Sequence, residues 1–346
     1  MEIQKPISEE TFKRVLPRIN DVIIKYLPDT PENLLKYAKR YAPLRIHSKL
    51  DDRIKNMMIE YILNDEDYLL TFYSILGNSF YKKAKSDKPK FYLVMGQTGS
   101  GKSNLTAMIL NEHPNCIVID SDKYKSFRPD AEMIATEHPN MYGILTGIDS
   151  YEHRDNVYDY AINNGYSMIV EKAPDINKGL INVDIDEAIN KGYEVNILIL
   201  AVSELNSSLS IHERYEGQIE AKLATPKLTT ISRHSQSFEG LNKTVKEMQN
   251  DKRLKISVFE RGSDSFQIPN LIYPRDNYKM YNSVYEALIG VQQKDLDRTV
   301  KEFDLRYNLI KAQMNKRNAD ANQYDQLEEI KKKYEQILLK NNFIEI

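Results

Sequence analysis

The sequence predicts an α/β fold in which a mostly parallel five-stranded sheet lies between N- and C-terminal helical regions. Two observations predict the sheet: short apolar runs recur between about residues 90 and 275, and longer amphipathic stretches separate them. Runs that are apolar on both faces suit buried parallel strands joined by right-handed helical crossovers. The five runs are 91–95, 116–120, 167–171, 194–202 and 254–260.

The first 85 residues form the predicted N-terminal helical region. Thr30 is followed by Pro31, a pair that predicts an N-cap and the first residue of a helix. The polar segment 82–90 then separates this region from the predicted sheet, and Pro89 restricts the backbone of the residue before it. Apolar residues in this region recur at helical spacing, as in Phe12, Val15, Leu16, Ile19 and Ile23.

A glycine-rich loop follows the first apolar run and carries the most specific chemistry. The loop fits the pattern G-x-x-x-x-G-K-[ST] between a strand and a helix, so it predicts a P-loop that binds ATP and Mg²⁺. Its glycines let backbone N–H groups point at phosphate, Lys102 bridges the β- and γ-phosphates, and the Ser103 hydroxyl binds the metal. The predicted nucleotide-binding residues are Gly96, Gln97, Thr98, Gly99, Ser100, Gly101, Lys102 and Ser103.

Two aspartates at the end of the second run favour a kinase over a motor ATPase. Asp120 and Asp122 lie at the carboxyl edge of the sheet, where α/β folds bind ligands. We expect Asp120 to serve the metal through water and Asp122 to accept a proton from an attacking hydroxyl. The alternative is that both cap the following helix. Because the pair follows the loop by about 20 residues, it predicts a P-loop kinase domain spanning 86–275.

The last region, 276–346, is predicted to be an antiparallel helical hairpin. Apolar residues form a stripe at helical spacing along this region. In one interpretation the stripe packs on the core or on its own partner helix, and in the other it forms a partner-binding coiled coil. The stripe consists of Val300, Phe303, Tyr307, Ile310, Met314, Leu327, Ile330, Tyr334 and Ile337.

Composition excludes several classes of protein. The formal net charge of -2 gives no bulk attraction to nucleic acid or acidic lipid, so neither is an expected partner. The single cysteine, Cys116, lies in an apolar run and is read as a core residue of a protein in a reducing compartment. We see no signal peptide and no apolar run long enough for a bilayer, which predicts a cytoplasmic location without a membrane partner. His153, His212 and His234 lack the spacing of a zinc site and are read as surface or packing residues.

From residue 90 to about 262 the sequence resembles the zeta toxin family of bacterial toxin–antitoxin systems. The resemblance implies an ATP-dependent kinase that phosphorylates a sugar hydroxyl of a UDP-activated amino sugar, typically UDP-N-acetylglucosamine, and so disturbs cell-wall precursor synthesis. It also implies an antitoxin that blocks the ATP site. The stretches that carry it are 96–103, 118–125, 163–173, 191–202, 212–216 and 224–227, in the family's order and with similar spacing.

The resemblance implies roles for individual positions beside Lys102 and Ser103. Asp122 matches the catalytic base, Glu171 an acidic residue that holds the sugar nucleotide, and Asp155 a substrate-contacting glutamate. Arg214 matches an arginine that reaches the ATP phosphates, and its planar fork suits phosphate oxygens. The simpler alternative for Arg214 is a surface arginine near Glu213 or Glu216.

Departures from the family pattern fall on the acceptor side and leave the acceptor open. Lys172 and Ala173 replace a Gly-Thr pair, so we expect Lys172 to contact substrate through its charge. Leu223 stands where the family has a second arginine, which Lys222 or Arg233 could replace. NAD, a nucleic-acid end or an antibiotic are alternative acceptors, and a nucleotide-regulated binding module is the alternative outside catalysis.

The N-terminal helical region allows two interpretations. It has the size and helical class of an antitoxin of this family, so it could cover the nucleotide cleft in cis. The other interpretation is a structural extension that thickens the core.

Overall fold

A computed structural model describes residues 5–41, 51–138, 141–175, 181–223, 226–262, 268–274 and 281–340. Its strands are β1 (Lys5–Pro6), β2 (Lys39–Arg40), β3 (Lys90–Met95), β4 (Ile117–Ile119), β5 (Met168–Lys172), β6 (Glu194–Ala201), β7 (Lys255–Glu260) and β8 (Asn270–Pro274).

The helices in the described ranges are α1 (Glu9–Val15), α2 (Asp21–Tyr26), α3 (Pro31–Leu35), α4 (Asp52–Glu60), α5 (Asp65–Phe80), α6 (Lys102–Glu112), α7 (Ser121–Tyr124), α8 (Ala131–Glu137), α9 (Tyr142–Leu145), α10 (Gly147–Asn163), α11 (Ile181–Asn190), α12 (Glu204–Glu220), α13 (Ile231–Met248), α14 (Val284–Lys316) and α15 (Ala321–Lys340). Two short 3₁₀ helices cover Leu16–Arg18 and Lys125–Phe127.

The central sheet has the strand order β4-β5-β3-β6-β7-β8. All pairs from β4 to β7 are parallel, which confirms the predicted fold class and its five parallel strands. The predicted count of five strands was one short, because β8 pairs with β7 antiparallel at the edge of the sheet. This strand ends at Pro274, a residue confined largely to sheet edges, and proline argues against a strand when the sequence alone is read.

Alternating side chains of β3 enter two separate parts of the core. Phe91, Leu93 and Met95 join a large cluster with α5, α10, α11 and α13 on one face of the sheet. Tyr92 and Val94 pack on the other face, beneath α6. Because β3 is the central strand of this covered sheet, its carboxyl end, where the glycine-rich loop starts, is firmly placed.

The N-terminal helices belong to the same core cluster as the sheet. Tyr68, Phe72 and Leu76 of α5 are fully buried in the cluster that contains Phe91 and Leu93. In this region Thr30 caps α3 and Pro31 is its first residue, as predicted. These contacts support the structural-extension interpretation of the region.

A buried ion network also fixes the N-terminal region to α10. The guanidinium of Arg40 lies 3.0 Å from Asp149, and Arg128 donates to the other oxygen of the same carboxylate. Burial raises the pKa of Asp149, while Arg128 and Arg40 oppose that rise. An unpaired buried carboxylate would be costly, so the network needs all three residues.

The C-terminal helices pack their apolar stripe against α12. Phe303 and Met314 of α14 and Leu327 of α15 are buried with Leu205 and Leu209 of α12. The turn between α14 and α15 has Asn318 at a φ of 53°. The stripe is therefore covered by the protein itself, as the simpler interpretation expects.

Other sequence expectations concern single residues. Cys116 is buried, and burial raises the pKa of its thiol to about 11, which fits a core residue. His153, His212 and His234 are all buried packing residues. Within the described ranges no cluster of three or more His, Cys, Asp or Glu side chains could hold a metal, and no helix is long and apolar enough to cross a bilayer.

Candidate active site

The glycine-rich loop forms a tight cradle between β3 and α6. Gly99 and Gly101 have φ values of 78° and 93°, which favour glycine strongly. A Cβ at Gly99 would lie 2.2 Å from the Ser207 carbonyl oxygen, so a side chain cannot fit there. Because α6 begins at Lys102, the N–H groups of its first turn and of the loop make an anion site.

The side chain of Gln97 anchors the loop from behind. Its amide nitrogen donates to the Val202 carbonyl at 2.7 Å and to the Ser207 hydroxyl at 3.0 Å, and Ser207 lies 2.8 Å from His234 Nε2. The backbone N–H of Thr98 donates to Ser237 Oγ at 3.1 Å. Gln97 is fully buried, so its side chain holds the loop in place and does not line the cradle.

Lys102 lies at the centre of the cleft. Its ammonium donates to the carbonyl oxygens of Gly96 and Gln97 at 2.9 and 3.0 Å. Burial lowers the pKa of Lys102 to about 8, which the charge of Glu171 partly offsets. The charges of Arg214, Arg233 and Asp122 also act on this ammonium.

The two aspartates after β4 have different surroundings. Asp120 accepts a hydrogen bond from the Asp122 N–H at 2.9 Å and caps α7, as the capping alternative expects. Besides burial, the charge of Asp120 raises the pKa of Glu171, so Asp120 lies near the cleft. Its role beside the metal stays a prediction. The Asp122 side chain is 57% exposed in the cleft, within 2.8 Å of the Lys125 ammonium and 3.1 Å of the Lys227 ammonium.

These two lysines control the charge of Asp122. Desolvation in the cleft would raise the pKa of the carboxyl, but the positive charges of Lys125 and Lys227 outweigh it and hold that pKa well below its usual range. Neither lysine was predicted from the sequence as a site residue. The signal was present, since Lys125 follows Asp122 by three residues on a helix and Lys227 belongs to the stretch 224–227. Ala224 and Thr225 of that stretch lie outside the described residues.

Arg214 lies at the cleft, and its acidic neighbours on α12 pair with other residues. Glu213 pairs with Arg306 and Glu216 pairs with Arg317, both from α14 or its end. The Arg214 guanidinium lies 3.5 Å from the Lys227 carbonyl oxygen and within reach of the Asp122 charge. Arg214 is exposed, as the surface alternative expects, but Glu213 and Glu216 pair with other arginines, and the role of Arg214 at the ATP phosphates stays a prediction.

The three predicted substrate-binding residues fall into two groups. Glu171 and Lys172 are consecutive in β5 and point to opposite faces of the sheet. Burial raises the pKa of Glu171, and the Lys102 charge opposes that rise. Lys172 instead forms an ion pair with Asp184 of α11, near Asp155, which lies 2.7 Å from the Arg154 guanidinium. The structure therefore brings Glu171 to the phosphate cradle and leaves Lys172 and Asp155 together on the other side.

Of the two replacements considered for the second arginine, Arg233 is the one near the cradle. Its charge acts on Lys102, and one of its nitrogens donates to the Ala173 carbonyl at 3.2 Å. Lys222 is exposed just after α12, with a φ of 52°.

The cleft fits ATP and Mg²⁺ by its donor set. The cradle has no room for side chains at Gly99, and three cations, Lys102, Arg214 and Arg233, approach it. Ser103 is exposed on the first turn of α6, and its hydroxyl and the Asp120 carboxylate would be the hard oxygen ligands of the metal. Mg²⁺ commonly binds through one or two protein groups together with waters and phosphates, which this set allows.

Comparison with known proteins finds relatives of this chain. A family model described as Zeta toxin matches residues 76–272. Proteins named Toxin zeta from Streptococcus pyogenes and Enterococcus hirae are 26% and 25% identical over 227 residues, 63% of this chain and 72% and 73% of theirs. A solved structure from the PezAT chromosomal toxin-antitoxin system of Streptococcus pneumoniae covers 72% of this chain and 98% of its own, with a TM-score of 0.57 and 18% identity. At that identity it shows a shared fold.

Proposed function

This chain belongs to the zeta toxin family, and we propose that it is an ATP-dependent kinase that phosphorylates a sugar hydroxyl of a UDP-activated amino sugar such as UDP-N-acetylglucosamine. One observation carries the proposal. Lys227 lies 3.1 Å from Asp122 through its ammonium and 3.5 Å from the Arg214 guanidinium through its carbonyl oxygen, which brings Asp122 and Arg214 together although they lie far apart in the sequence. The charges of both act on Lys102 of the glycine-rich loop. A phosphate cradle, a phosphate-binding arginine and a proton-accepting carboxylate are the parts that phosphoryl transfer to an alcohol needs.

The donor half of the proposed reaction is assigned to the loop and its cations. Backbone N–H groups of 96–103 and the Lys102 ammonium hold the ATP phosphates, and Arg214 and Arg233 neutralise charge on the transferring group. Ser103 and Asp120 would hold Mg²⁺, which draws charge from the phosphate oxygens when bound. Lys102 can make these contacts by exchanging its two carbonyl partners for phosphate oxygens.

The acceptor half is assigned to Asp122 and Glu171. Asp122 stands exposed in the cleft and accepts the proton of the sugar hydroxyl, while Glu171 holds the sugar nucleotide. Lys172 and Asp155 extend the acceptor side toward α10 and α11. Because ATP and UDP-sugars are cytoplasmic metabolites, we propose that the protein acts in the cytoplasm and disturbs cell-wall precursor synthesis there.

The proposed protein partner is an antitoxin. The similar solved structure comes from a toxin-antitoxin system, which supports a partner of that class for this chain. An antitoxin that covers the cradle would exclude ATP. Inhibition in cis by the N-terminal helices has less support, because those helices pack into the core cluster.

A second candidate is a kinase of the same mechanism with another acceptor. The observation that favours it is the ion pair of Lys172 with Asp184, where the family pattern has Gly-Thr. NAD, a nucleic-acid end and an antibiotic hydroxyl are the acceptors to compare. A nucleotide-regulated binding module would bind ATP and transfer phosphate to none of them.

Incubation with ATP labelled on the γ-phosphate, Mg²⁺ and each acceptor separately tests these proposals. The expected result is label on UDP-N-acetylglucosamine with wild-type protein and none with Asp122→Ala, which should still bind ATP. Label on a different acceptor favours the second candidate. Binding of ATP without label on any acceptor contradicts the kinase proposal and favours the binding module.

A further inference from the structure

Two lysines from separate parts of the chain converge on one oxygen of Asp122. The closest contacts are 2.8 Å from Lys125 Nζ and 3.1 Å from Lys227 Nζ, both to Oδ1. Lys125 lies in the 3₁₀ helix after α7, and Lys227 lies in the segment between α12 and α13. A surface aspartate has no need of two cationic partners, so the arrangement requires an explanation.

Lys125 is placed by burial. Its side chain is only 7% exposed, and its ammonium lies near Gly143 of α9, where an added Cβ would be 3.8 Å from Nζ. A buried ammonium is stable only with an anionic partner, and Asp122 is the partner of Lys125. The lysine therefore holds its carboxylate from inside the protein.

Lys227 is placed by its backbone. Its N–H donates to Gln218 Oε1 of α12 at 2.8 Å, and its carbonyl oxygen lies 3.5 Å from the Arg214 guanidinium. One residue thus contacts both the helix that carries Arg214 and the carboxylate of Asp122. The backbone of Lys227 is therefore held by α12 through contacts that do not involve Asp122.

We propose that Lys125 and Lys227 are positioning residues, which hold Oδ1 of Asp122 so that its other oxygen is presented to the acceptor hydroxyl. The inference rests on the proposed kinase function and adds two residues to its machinery. Other charged groups face Asp122 as well: Arg214 from α12, Lys102 from the loop and Asp120 from the start of α7.

The arrangement suits the chemistry of phosphoryl transfer. The acceptor oxygen forms a bond to the γ-phosphorus, the bond from that phosphorus to the β–γ bridging oxygen breaks, and ADP leaves with that electron pair. The hydroxyl proton passes to Asp122 and then to water. A carboxylate held by two ammonium groups is a weak base, which suffices because a loose transition state needs little removal of the proton before the bond to phosphorus forms.

Variants Lys125→Met and Lys227→Met test the proposal through kcat and KM. Loss of either ammonium lets the Asp122 carboxylate turn away from the acceptor hydroxyl, so kcat at pH 7 should fall at least about tenfold while KM for ATP stays within about twofold of wild type. Lys125→Arg keeps the charged partner of Asp122 and should retain most of kcat. Lys55→Met is the matched control, because Lys55 forms the same i,i+3 pair with Asp52 on the remote helix α4.

A second measurement does not depend on turnover. The ¹³C resonance of the Asp122 carboxyl carbon at pH 7, assigned by Asp122→Asn in protein labelled with ¹³C-aspartate, should move in both Met variants relative to wild type. An unmoved resonance and an unchanged kcat in both variants overturn the positioning role. A moved resonance in a protein that phosphorylates no acceptor upholds the contact and overturns the proposed kinase function instead.

Discussion

Arg214 lies at the cleft, and its two acidic neighbours on α12 pair with other arginines. Glu213 and Glu216 are held by Arg306 and Arg317, so neither competes for the Arg214 guanidinium. The guanidinium lies beside the Lys227 carbonyl and the charge of Asp122, where a γ-phosphate would replace a weak contact with a strong one. At the scale of single residues, the packing of neighbouring helices determines which charged side chains of the site pair with each other.

We predict that Arg214→Ala lowers kcat/KM for ATP-dependent transfer by about 1,000-fold, the scale of an arginine that stabilises a transferring phosphoryl group. The free energy of unfolding should change by less than about 0.5 kcal/mol, because the residue is exposed. Steady-state kinetics and urea unfolding measure the two effects. Glu220→Gln, at the exposed end of the same helix, is the control, and retained activity in Arg214→Ala would refute the role.

His234 gives the loop a pH-dependent support. It is fully buried and lies 2.8 Å from Ser207, which in turn holds Gln97. Burial lowers the pKa of His234 from 6.5 to about 4. The unfolded state therefore binds more protons between these values, so stability is full above about pH 6.5 and falls as the pH drops toward 4.

We predict that His234→Gln makes the free energy of unfolding less dependent on pH over this range. The lowered pKa of His234 corresponds to a change of at most about 3 kcal/mol in the free energy of unfolding across this pH range. Urea unfolding at several pH values measures it, with His113→Gln as the control, since His113 stacks on Tyr92 away from the loop. An unchanged pH slope in His234→Gln would contradict the assignment.

Helix α12 is the element that joins the cleft to the C-terminal helices. Asp295 of α14 accepts from the Ser203 N–H at 2.8 Å, at the start of α12, and Arg317 holds Glu216 near its end. Both ends of the helix that carries Arg214 are therefore fixed by residues from beyond the predicted kinase domain. The apolar contacts of Phe303 and Leu327 cover the same helix.

Removal of Arg317 should be costly, because the Glu216 side chain is only 3% exposed and would keep a buried, unpaired charge. We predict that Arg317→Met lowers the free energy of unfolding by about 3 kcal/mol. Denaturant unfolding followed by circular dichroism measures the loss. Lys331→Met, which breaks a 4.0 Å surface pair with Glu335, should cost less than about 0.5 kcal/mol, and equal losses in the two variants would refute this account.

Local patterns predicted most elements, and long-range contacts explain what they missed. The five parallel strands and the glycine-rich loop follow from periodicity and spacing, and both are observed. The edge strand β8 was missed because its stability comes from β7. The pairing of Lys125 with Asp122 could be inferred from their spacing of three residues. Lys227 and the partners of Glu213 and Glu216 come from distant segments, and a single sequence does not show which distant segments lie together.

At the scale of the whole molecule, the N-terminal region and the sheet share one core. Tyr68 and Phe72 pack in the same cluster as Phe91, and Arg40 neutralises Asp149 in α10. The predicted boundary between residues 85 and 86 divides two regions of the sequence, but residues from both regions form the same hydrophobic core. The boundary of an independent domain there stays a prediction.

We predict that a fragment of residues 86–346 does not fold cooperatively, because its sheet would expose the face that α5 covers. Urea unfolding of the fragment, compared with the full chain, measures this. The growth effect of expressing each of them gives a second comparison. A stable fragment that is more toxic than the full chain would contradict the structural extension and support inhibition in cis.

The central claim is that Asp122, Lys102 and Arg214 act together to move phosphate from ATP to a sugar hydroxyl. Its most direct test is mass analysis of UDP-N-acetylglucosamine after incubation with the full chain, ATP and Mg²⁺. We predict a product heavier by one phosphoryl group with wild-type protein and unmodified sugar nucleotide with Asp122→Ala. Equal amounts of phosphorylated product from both proteins would contradict the role of Asp122, and unmodified sugar nucleotide from both would contradict the proposed substrate.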